Sequence, residues 1–310
     1  MKIPDPPEKV PAMSSPPALS PPPVREIAQE VLRDLTQHFH FNTEALWYAV
    51  LHWIGMAPAL KFSEIMRDCD IKVATQSLWV AAQDLLTRFT KGWDVDGAEP
   101  LPKEGPLLVV ANHPGAVDSI ALLGVLERPD VHLLVNERPT LQVLPNASEH
   151  FIYMDEHDPA RVDIMREIIR LLQAGESVAL FPRGTLEPDP ARYPGAINSL
   201  ASWSQSLGVF LSQVPDTALQ LVLTRNVLSQ QAWEHPVAKL GKTLKQRHQI
   251  GMILQTAIQQ FFDIWKIPVR MTLPAPVPAR AFSPDLDPRA INAEIRRFVA
   301  DEMTKTFELL

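Results

Sequence analysis

Two side chains five positions apart have the residue types needed to move a proton. His113 follows the apolar run Leu107–Ala111, and Asp118 lies where the next helix is expected to begin. A histidine can act as a general base, and a carboxylate that accepts a hydrogen bond from its other ring nitrogen fixes the tautomer and the orientation. The spacing therefore predicts a base with its orienting acid at the end of a strand.

The elements around this pair follow from the alternation of short apolar runs with helical patterns. Alternation of this kind predicts an α/β fold with a mostly parallel central sheet flanked by helices, preceded by an amphipathic N-terminal helical region. Ligands bind such sheets at the carboxyl ends of the strands. We expect strands at 107–111, 131–135, 151–154, 177–181, 219–224 and 269–273, and helices near 24–39, 45–60, 72–89, 118–126, 159–173, 196–213, 249–265 and 288–307.

Changes in composition divide the chain into three regions. Residues 1–23 are rich in proline and are expected to form a disordered arm, 24–93 a helical region, and 94–310 the α/β domain. The second helix has an apolar part at 45–60, shorter than the roughly 20 residues that cross a bilayer. Its Trp47, Tyr48 and Trp53 favour a membrane interface over plain core packing, which is the alternative.

The bulk composition excludes several classes of protein. A net charge of -7 and a pI near 5.7 argue against nucleic acid as a partner, because binding to phosphates needs a basic face. The one cysteine, Cys69, excludes an internal disulfide and a cysteine-based zinc cluster, and it fits a cytoplasmic setting. Cys69 lies between acidic residues, which disfavours a reactive thiolate. No set of ligands suggests a metal site.

Two motifs resemble signatures of the glycerolipid acyltransferase family, which includes the lysophosphatidic acid and glycerol-3-phosphate acyltransferases. Residues 112–118, Asn-His-Pro-Gly-Ala-Val-Asp, match the family's Asn-His followed by four residues and an aspartate. Residues 181–185, Phe-Pro-Arg-Gly-Thr, agree with its Phe-Pro-Glu-Gly-Thr at four of five positions. Residues 153–156 are a candidate for the family's second motif, and the order and spacing agree across roughly 94–228.

The resemblance implies a function and an assignment of the site. It implies transfer of a fatty acyl group from an acyl-CoA or acyl-carrier-protein thioester to a hydroxyl of glycerol phosphate or a lysophospholipid. His113 would be the base and Asp118 its orienting acid, with no metal or organic cofactor. The partners would be a lipid substrate, a membrane surface and, as the alternative donor, an acyl carrier protein. The protein would lie at the cytoplasmic face of the membrane as a peripheral or monotopic protein.

Substrate binding is expected from residues in or near the motifs. Two of them depart from the family pattern, since Glu156 replaces an arginine and Arg183 replaces a glutamate. One hypothesis is an ion pair of exchanged polarity, and the rival is that Arg183 has an independent phosphate-binding role. The expected substrate-binding residues are Asn112, Glu156, Arg161, Arg183, Gly184 and Thr185.

Three questions stay open at the level of sequence. The same motif departures leave room for an acceptor without phosphate, and a non-catalytic membrane-binding protein of the same fold is a further alternative. The absence of a Gly-x-Ser-x-Gly elbow disfavours a serine hydrolase. The segment 229–248, with Trp233, His235 and several basic residues, fits a lid, a basic membrane contact or a plain loop.

Overall fold

A computed structural model describes residues 19–38, 46–97, 101–154, 161–193 and 196–307, without the side chains of 38, 46–52, 54 and 116. In the described part of the chain, short 3-10 helices at Ala196–Ser202 and Ala238–Leu240 accompany the α-helices. The α-helices are α1 (Val24–His38), α2 (Leu46–Thr75), α3 (Leu78–Phe89), α4 (Ala116–Leu126), α5 (Pro139–Gln142), α6 (Pro145–Ser148), α7 (Arg161–Gln173), α8 (Ser206–Gln213), α9 (Gln230–Glu234), α10 (Leu244–Phe262), α11 (Ala279–Phe282) and α12 (Pro288–Phe307).

Within the described ranges, the strands form an eight-stranded sheet in the order β1-β7-β6-β2-β5-β3-β4, with β8 paired to β6. Five of the pairings between described strands are parallel, and β6 pairs antiparallel with β7 and β8. The mostly parallel α/β sheet is therefore confirmed. The strands are β1 (Trp93–Asp96), β2 (Leu107–Ala111), β3 (Val131–Asn136), β4 (Phe151–Met154), β5 (Ser177–Leu180), β6 (Ala218–Arg225), β7 (Val269–Thr272) and β8 (Val277–Pro278).

Strand β2 lies between β5 and β6 and is buried along its whole length. Because side chains alternate along a strand, Leu107, Val109 and Ala111 pack on one face, while Leu108 and Val110 pack on the other. The first face is covered by α1 to α4 and the second by α7, α8 and α12. A strand covered on both faces has a continuous apolar sequence, as β2 does.

Several predicted elements need correction. The helix expected over 72–89 is two helices, since α2 runs on to Thr75 and a new helix begins after Ser77, whose side chain caps it by accepting the N–H of Val80 at 3.3 Å. The helix expected over 196–213 is a 3-10 helix followed by α8. Strand β1 was missed because its residues alternate between partly buried and exposed in only four positions.

The N-terminal helices share one apolar core with the sheet. Ile27 of α1 and Leu86 of α3 belong to the same buried cluster as Leu107 and Val109 of β2. A buried carboxylate, Asp70 of α2, accepts the backbone N–H groups of Asn146 and Ala147 at 3.0 and 2.8 Å and ties this layer to α6. Within the described residues, no helix is long and apolar enough to cross a membrane.

Candidate active site

The predicted pair meets at the carboxyl end of β2. His113 Nδ1 lies 3.0 Å from Asp118 Oδ2, and the Asp118 side chain is completely buried whereas 24% of the His113 side chain is exposed. An ionised carboxylate only accepts hydrogen bonds, so Nδ1 carries the proton and Nε2 keeps its lone pair. The geometry leaves Nε2 as the basic atom of the site.

A tight turn brings Asp118 back to the histidine. The chain leaves β2 through Pro114 and Gly115 and enters α4, where Asp118 Oδ2 also accepts the Gly115 N–H at 2.8 Å. A carboxylate in the first turn of a helix is favoured by the helix dipole. Gly115 is required by space, because a Cβ there would lie 2.9 Å from both Met252 Sδ and Val227 Cγ2.

Sheet register places the motif at 181–185, here called the third motif, beside the first motif at 112–118. Val110 of β2 pairs with Leu180 of β5, so the residues just beyond both strands are neighbours. The His113 ring stacks on Phe181 with ring centroids 4.2 Å apart and an angle of 22° between planes. Phe181 contacts the face of the imidazole, whereas the bond to Asp118 lies in the ring plane, so the two contacts together leave the ring little freedom to turn.

A second buried carboxylate holds the backbone of the histidine. Glu187 Oε1 accepts the His113 N–H at 3.3 Å, and the Glu187 N–H donates to the His113 carbonyl at 2.7 Å. The same carboxylate accepts hydrogen bonds from the Ser199 hydroxyl and from Trp203 Nε1. Burial raises the pKa of Glu187, and these hydrogen bonds oppose that shift.

Competing influences act on the pKa of His113. Burial disfavours the imidazolium and by itself lowers the pKa. The Asp118 carboxylate, through its charge and its hydrogen bond, and the charge of Glu187 act in the other direction. The net result is a pKa above the ordinary value, so the histidine is a stronger base than a free imidazole.

A second histidine supports the turn from the far side. His248 of α10 is buried, and its Nε2 lies 2.7 Å from the Pro114 carbonyl oxygen. Burial lowers the pKa of His248, so the ring stays neutral and donates from Nε2 to that carbonyl. The turn between β2 and α4 is thus held by Glu187 on one side and by His248 on the other.

A wide polar cleft of about 1490 Å³ opens onto His113. Its walls come from α1, the loop and helix after β3, the third motif and the N-terminal half of α10. It holds both signs of charge, with Arg138 paired to Asp34 at 3.0 Å and Arg33 paired to Glu30 at 3.4 Å. Its charged lining residues are Glu26, Glu30, Asp34, Glu137, Arg33, Arg138 and Lys245.

An apolar cavity of about 390 Å³ reaches the same histidine from the interior. It runs between the helical layer and the sheet and shares His113 and Gly184 with the cleft. A long aliphatic chain gains free energy by leaving water for such a lining. Lining side chains include Phe62, Met66, Cys69, Val73, Leu78, Ala82, Leu85, Phe89, Val117, Ile120, Leu123, Leu133, Val135, Leu141, Leu144 and Phe181.

The segment that builds this site matches a family model. The model described as Acyltransferase matches residues 92–214, which include β2, the turn, α4 and the third motif. Residues 92–214 are thus similar to the acyltransferase family.

Comparison with solved structures gives a match of low sequence identity. The crystal structure of the 1-acyl-sn-glycerophosphate (LPA) acyltransferase PlsC from Thermotoga maritima is 16% identical, covers 90% of this chain and 96% of its own, and superposes with a TM-score of 0.46. Comparison with curated proteins gives no match.

The predicted substrate-binding residues within the matched segment fall into two groups. Gly184 and Thr185 line the cleft. Asn112 is completely buried and exchanges hydrogen bonds of 2.8 and 2.7 Å with the backbone of Thr224, so it joins β2 to β6 and presents no surface to the cleft.

Both arginines predicted to bind substrate lie away from the two cavities. Arg183 turns back onto its own loop and donates to the Leu186 carbonyl at 3.0 Å, and Arg161 is exposed at the start of α7. Neither lines the cleft or the apolar cavity. Glu156 lies outside the described residues, so its pairing with Arg183 stays a hypothesis.

Sequence reasoning missed Glu187 and His248. Glu187 lies two residues after the motif at 181–185, and this closeness to the motif was the one available signal. No local pattern marks His248, because its partner Pro114 lies 134 positions away. Cys69 lines the apolar cavity, and burial with the nearby Asp70 raises the pKa of its thiol to about 12, which makes it a poor nucleophile.

Proposed function

We propose that this acyltransferase moves a fatty acyl group from an acyl-CoA or acyl-carrier-protein thioester to a hydroxyl of glycerol phosphate or a lysophospholipid. The observation that carries the proposal is the position of the His113–Asp118 pair where a polar cleft meets an apolar cavity. The acyl chain would occupy the cavity and the acceptor head group the cleft, so that carbonyl and hydroxyl meet at Nε2.

The proposed reaction is a direct displacement. Nε2 of His113 takes the proton of the acceptor hydroxyl while the hydroxyl oxygen bonds to the thioester carbonyl carbon. The carbon–sulfur bond then breaks, and the imidazolium returns the proton to the departing thiolate, giving an ester and a free thiol. Asp118 stabilises the imidazolium in between, and no acyl-enzyme is formed.

The charge in the cleft supports a second candidate acceptor. Four carboxylates and three cations line it, and the two arginines predicted to bind phosphate lie elsewhere. A lysolipid without a phosphate monoester, such as an amino-acid-based or other amphiphilic lysolipid, fits this lining as well as a phosphate does.

The test is acceptor-dependent release of free thiol. Palmitoyl-CoA and palmitoyl-carrier protein would be offered with glycerol-3-phosphate, lysophosphatidic acid and lysolipids of other head groups. Acceptor-dependent release supports the proposal, and the preferred acceptor separates its two forms. Release that ignores the acceptor would indicate a thioesterase, and no release with any pair would favour a non-catalytic membrane-binding protein.

The pH dependence of turnover should follow the protonation of His113. Only the neutral imidazole can accept the hydroxyl proton, so kcat/KM is expected to rise with pH and to reach half its maximum above 6.5, the ordinary histidine pKa. In Asp118→Asn the midpoint should move to lower pH, because the charge that raises the pKa is gone. A pH-independent rate in the wild type would contradict this assignment.

Replacing Glu187 tests its role as a positioning residue. Glu187→Leu leaves the His113 N–H, Ser199 and Trp203 without an acceptor, so the free energy of unfolding should fall by about 1–3 kcal/mol and kcat should fall more than KM changes. Glu187→Gln keeps an acceptor but removes the charge, so it should restore most of the stability and shift the pH midpoint downward.

Denaturant unfolding and pH–rate profiles measure these effects. The matched control is Glu176→Gln, because Glu176 pairs with His132 at 2.6 Å outside both cavities. A Glu187→Gln profile that coincides with the wild type would show that the carboxylate supports the fold alone.

A further inference from the structure

Helix α10 has an inverted pattern of burial. Its buried positions are His248, Gly251, Gln255 and Gln259, spaced to form one stripe. The polar side chains face inward because they bond to backbone: Gln255 accepts the Ser229 N–H at 2.7 Å and donates to the Val227 carbonyl at 2.9 Å. Four apolar residues of the helix, Leu244, Ile253, Phe261 and Phe262, are left exposed, while its other large apolar residues are partly buried.

The exposed apolar residues of the described chain concentrate in and beside this helix. Of the eleven large hydrophobic residues that are exposed, seven lie between 237 and 264. Leu240 is 77% exposed, Phe262 67% and Leu244 63%. A cluster of this kind on a folded protein marks an interaction surface, whereas single exposed residues need no explanation.

Tertiary packing brings the two ends of this segment together. The ring of His235 lies 5.6 Å from that of Trp265, so the loop before α10 folds back beside the helix end. We call the exposed residues of this segment, 237–264, the α10 surface. Its apolar members are Val237, Leu240, Leu244, Ile253, Phe261, Phe262 and Ile264, and its basic members are Lys239, Lys242 and Lys245.

The charge of this segment is opposite to that of the chain. Residues 235–270 contain six lysines and arginines and one carboxylate, a net charge of +5, in a chain of net charge -7. That carboxylate, Asp263, is paired with Lys266, and Arg247 lies 3.7 Å above the Trp233 ring. Lys239, Lys242 and Lys245 are exposed and have no carboxylate partner among the described residues.

The α10 surface is continuous with the active-site cleft. Lys245 and Ile253 belong to the surface and also line the cleft that opens onto His113. Leu35 of α1, another exposed apolar residue, lines the same cleft. A partner bound to the α10 surface would therefore meet the mouth of the cleft.

We propose that the α10 surface docks the protein on an anionic lipid bilayer, with the phenylalanines and leucines in the headgroup–acyl boundary and the lysines on lipid phosphates. Exposed aromatic and aliphatic side chains flanked by lysines favour such a surface. The proposal rests on the proposed function only in that a lipid acceptor would then enter the cleft from the bilayer. It assigns membrane contact to α10, beside or instead of the N-terminal helices.

Vesicle co-sedimentation of the full chain tests the proposal. The probes are vesicles of phosphatidylethanolamine with phosphatidylglycerol, and vesicles of phosphatidylcholine alone. We expect wild-type binding that needs the anionic lipid and weakens as ionic strength rises. Phe261→Ser/Phe262→Ser and, separately, Lys239→Glu/Lys242→Glu should each lower the partition coefficient by about tenfold or more.

The controls replace equally exposed residues elsewhere. Val162→Ser removes a 55% exposed valine from α7, and Arg289→Glu reverses an exposed charge on α12. Both should bind vesicles as the wild type does. Undiminished binding by both α10 variants would overturn the proposal, as would equal binding of the wild type to both kinds of vesicle, or binding to an acidic carrier protein without binding to vesicles.

Turnover with a dispersed, short-chain donor and acceptor keeps this result separate from the proposed function. The α10 variants should match the wild type in that assay, because the substituted residues lie outside both cavities. Loss of turnover there would attribute their effect to the fold or the site and overturn a pure docking role. A wild type without any turnover would contradict the proposed function, while the vesicle measurements would still test whether the α10 surface binds the bilayer.

Discussion

His113→Ala should abolish acyl transfer, with kcat falling by about 10²- to 10⁴-fold, because the hydroxyl then keeps its proton as it attacks. Asp118→Asn should also lose much of its activity, since the amide provides neither the charge nor the fixed tautomer that the carboxylate gives through its 3.0 Å contact with Nδ1. Thiol release under acceptor saturation measures both effects.

The chain contains a matched control for this prediction. His132 lies within strand β3 and also pairs with a carboxylate, that of Glu176, at 2.6 Å. It lines neither cavity. His132→Ala should retain wild-type kcat within a small factor. Equal losses in His113→Ala and His132→Ala, or an active His113→Ala, would remove the general base from the mechanism.

Narrowing the apolar cavity should change the preferred acyl chain. Ala82 of α3 lines the cavity, so the ring in Ala82→Phe would occupy space that a long chain needs. A single methylene in an apolar pocket changes specificity by about ten- to 200-fold. We therefore expect kcat/KM for palmitoyl donors to fall by at least about tenfold relative to short-chain donors.

The readout is the ratio of kcat/KM values across donors of increasing length. Ala281→Phe, at an exposed position on α11, is the control and should leave the ratio unchanged. Thermal unfolding checks that the larger side chain does not simply overpack the core, which typically costs about 1–3 kcal/mol. An unchanged ratio in a folded Ala82→Phe would show that the acyl chain lies elsewhere.

The sequence predicted the sheet and the contact between His113 and Asp118 because both depend on local patterns. A continuous apolar run such as Leu107–Ala111 is typical of a strand covered on both faces, and the spacing of His113 and Asp118 sets their meeting across one turn. The break between α2 and α3 was not predicted, because the apolar periodicity continues across it and only the cap at Ser77 marks the new helix.

The roles of the binding residues were decided by tertiary contacts. Asn112 follows the strand as a binding residue would, yet the neighbouring strand β6 takes up its side chain. Arg183 has the chemistry to bind a phosphate, yet its guanidinium donates to the Leu186 carbonyl of its own loop. A backbone group that lies close in the folded chain can take the hydrogen bond that a side chain would otherwise give to a ligand, and the sequence does not show this.

The sequence by itself determined the fold class, the meeting of His113 with Asp118 and the acyltransferase resemblance, since each rests on residues close together in the chain. Only the tertiary structure decided that Glu187 and His248 hold the turn after β2, that two cavities meet at His113, and that Phe261 and Phe262 of α10 are exposed. The physical reason is that hydrogen bonds and burial join residues that chain order separates by up to 134 positions.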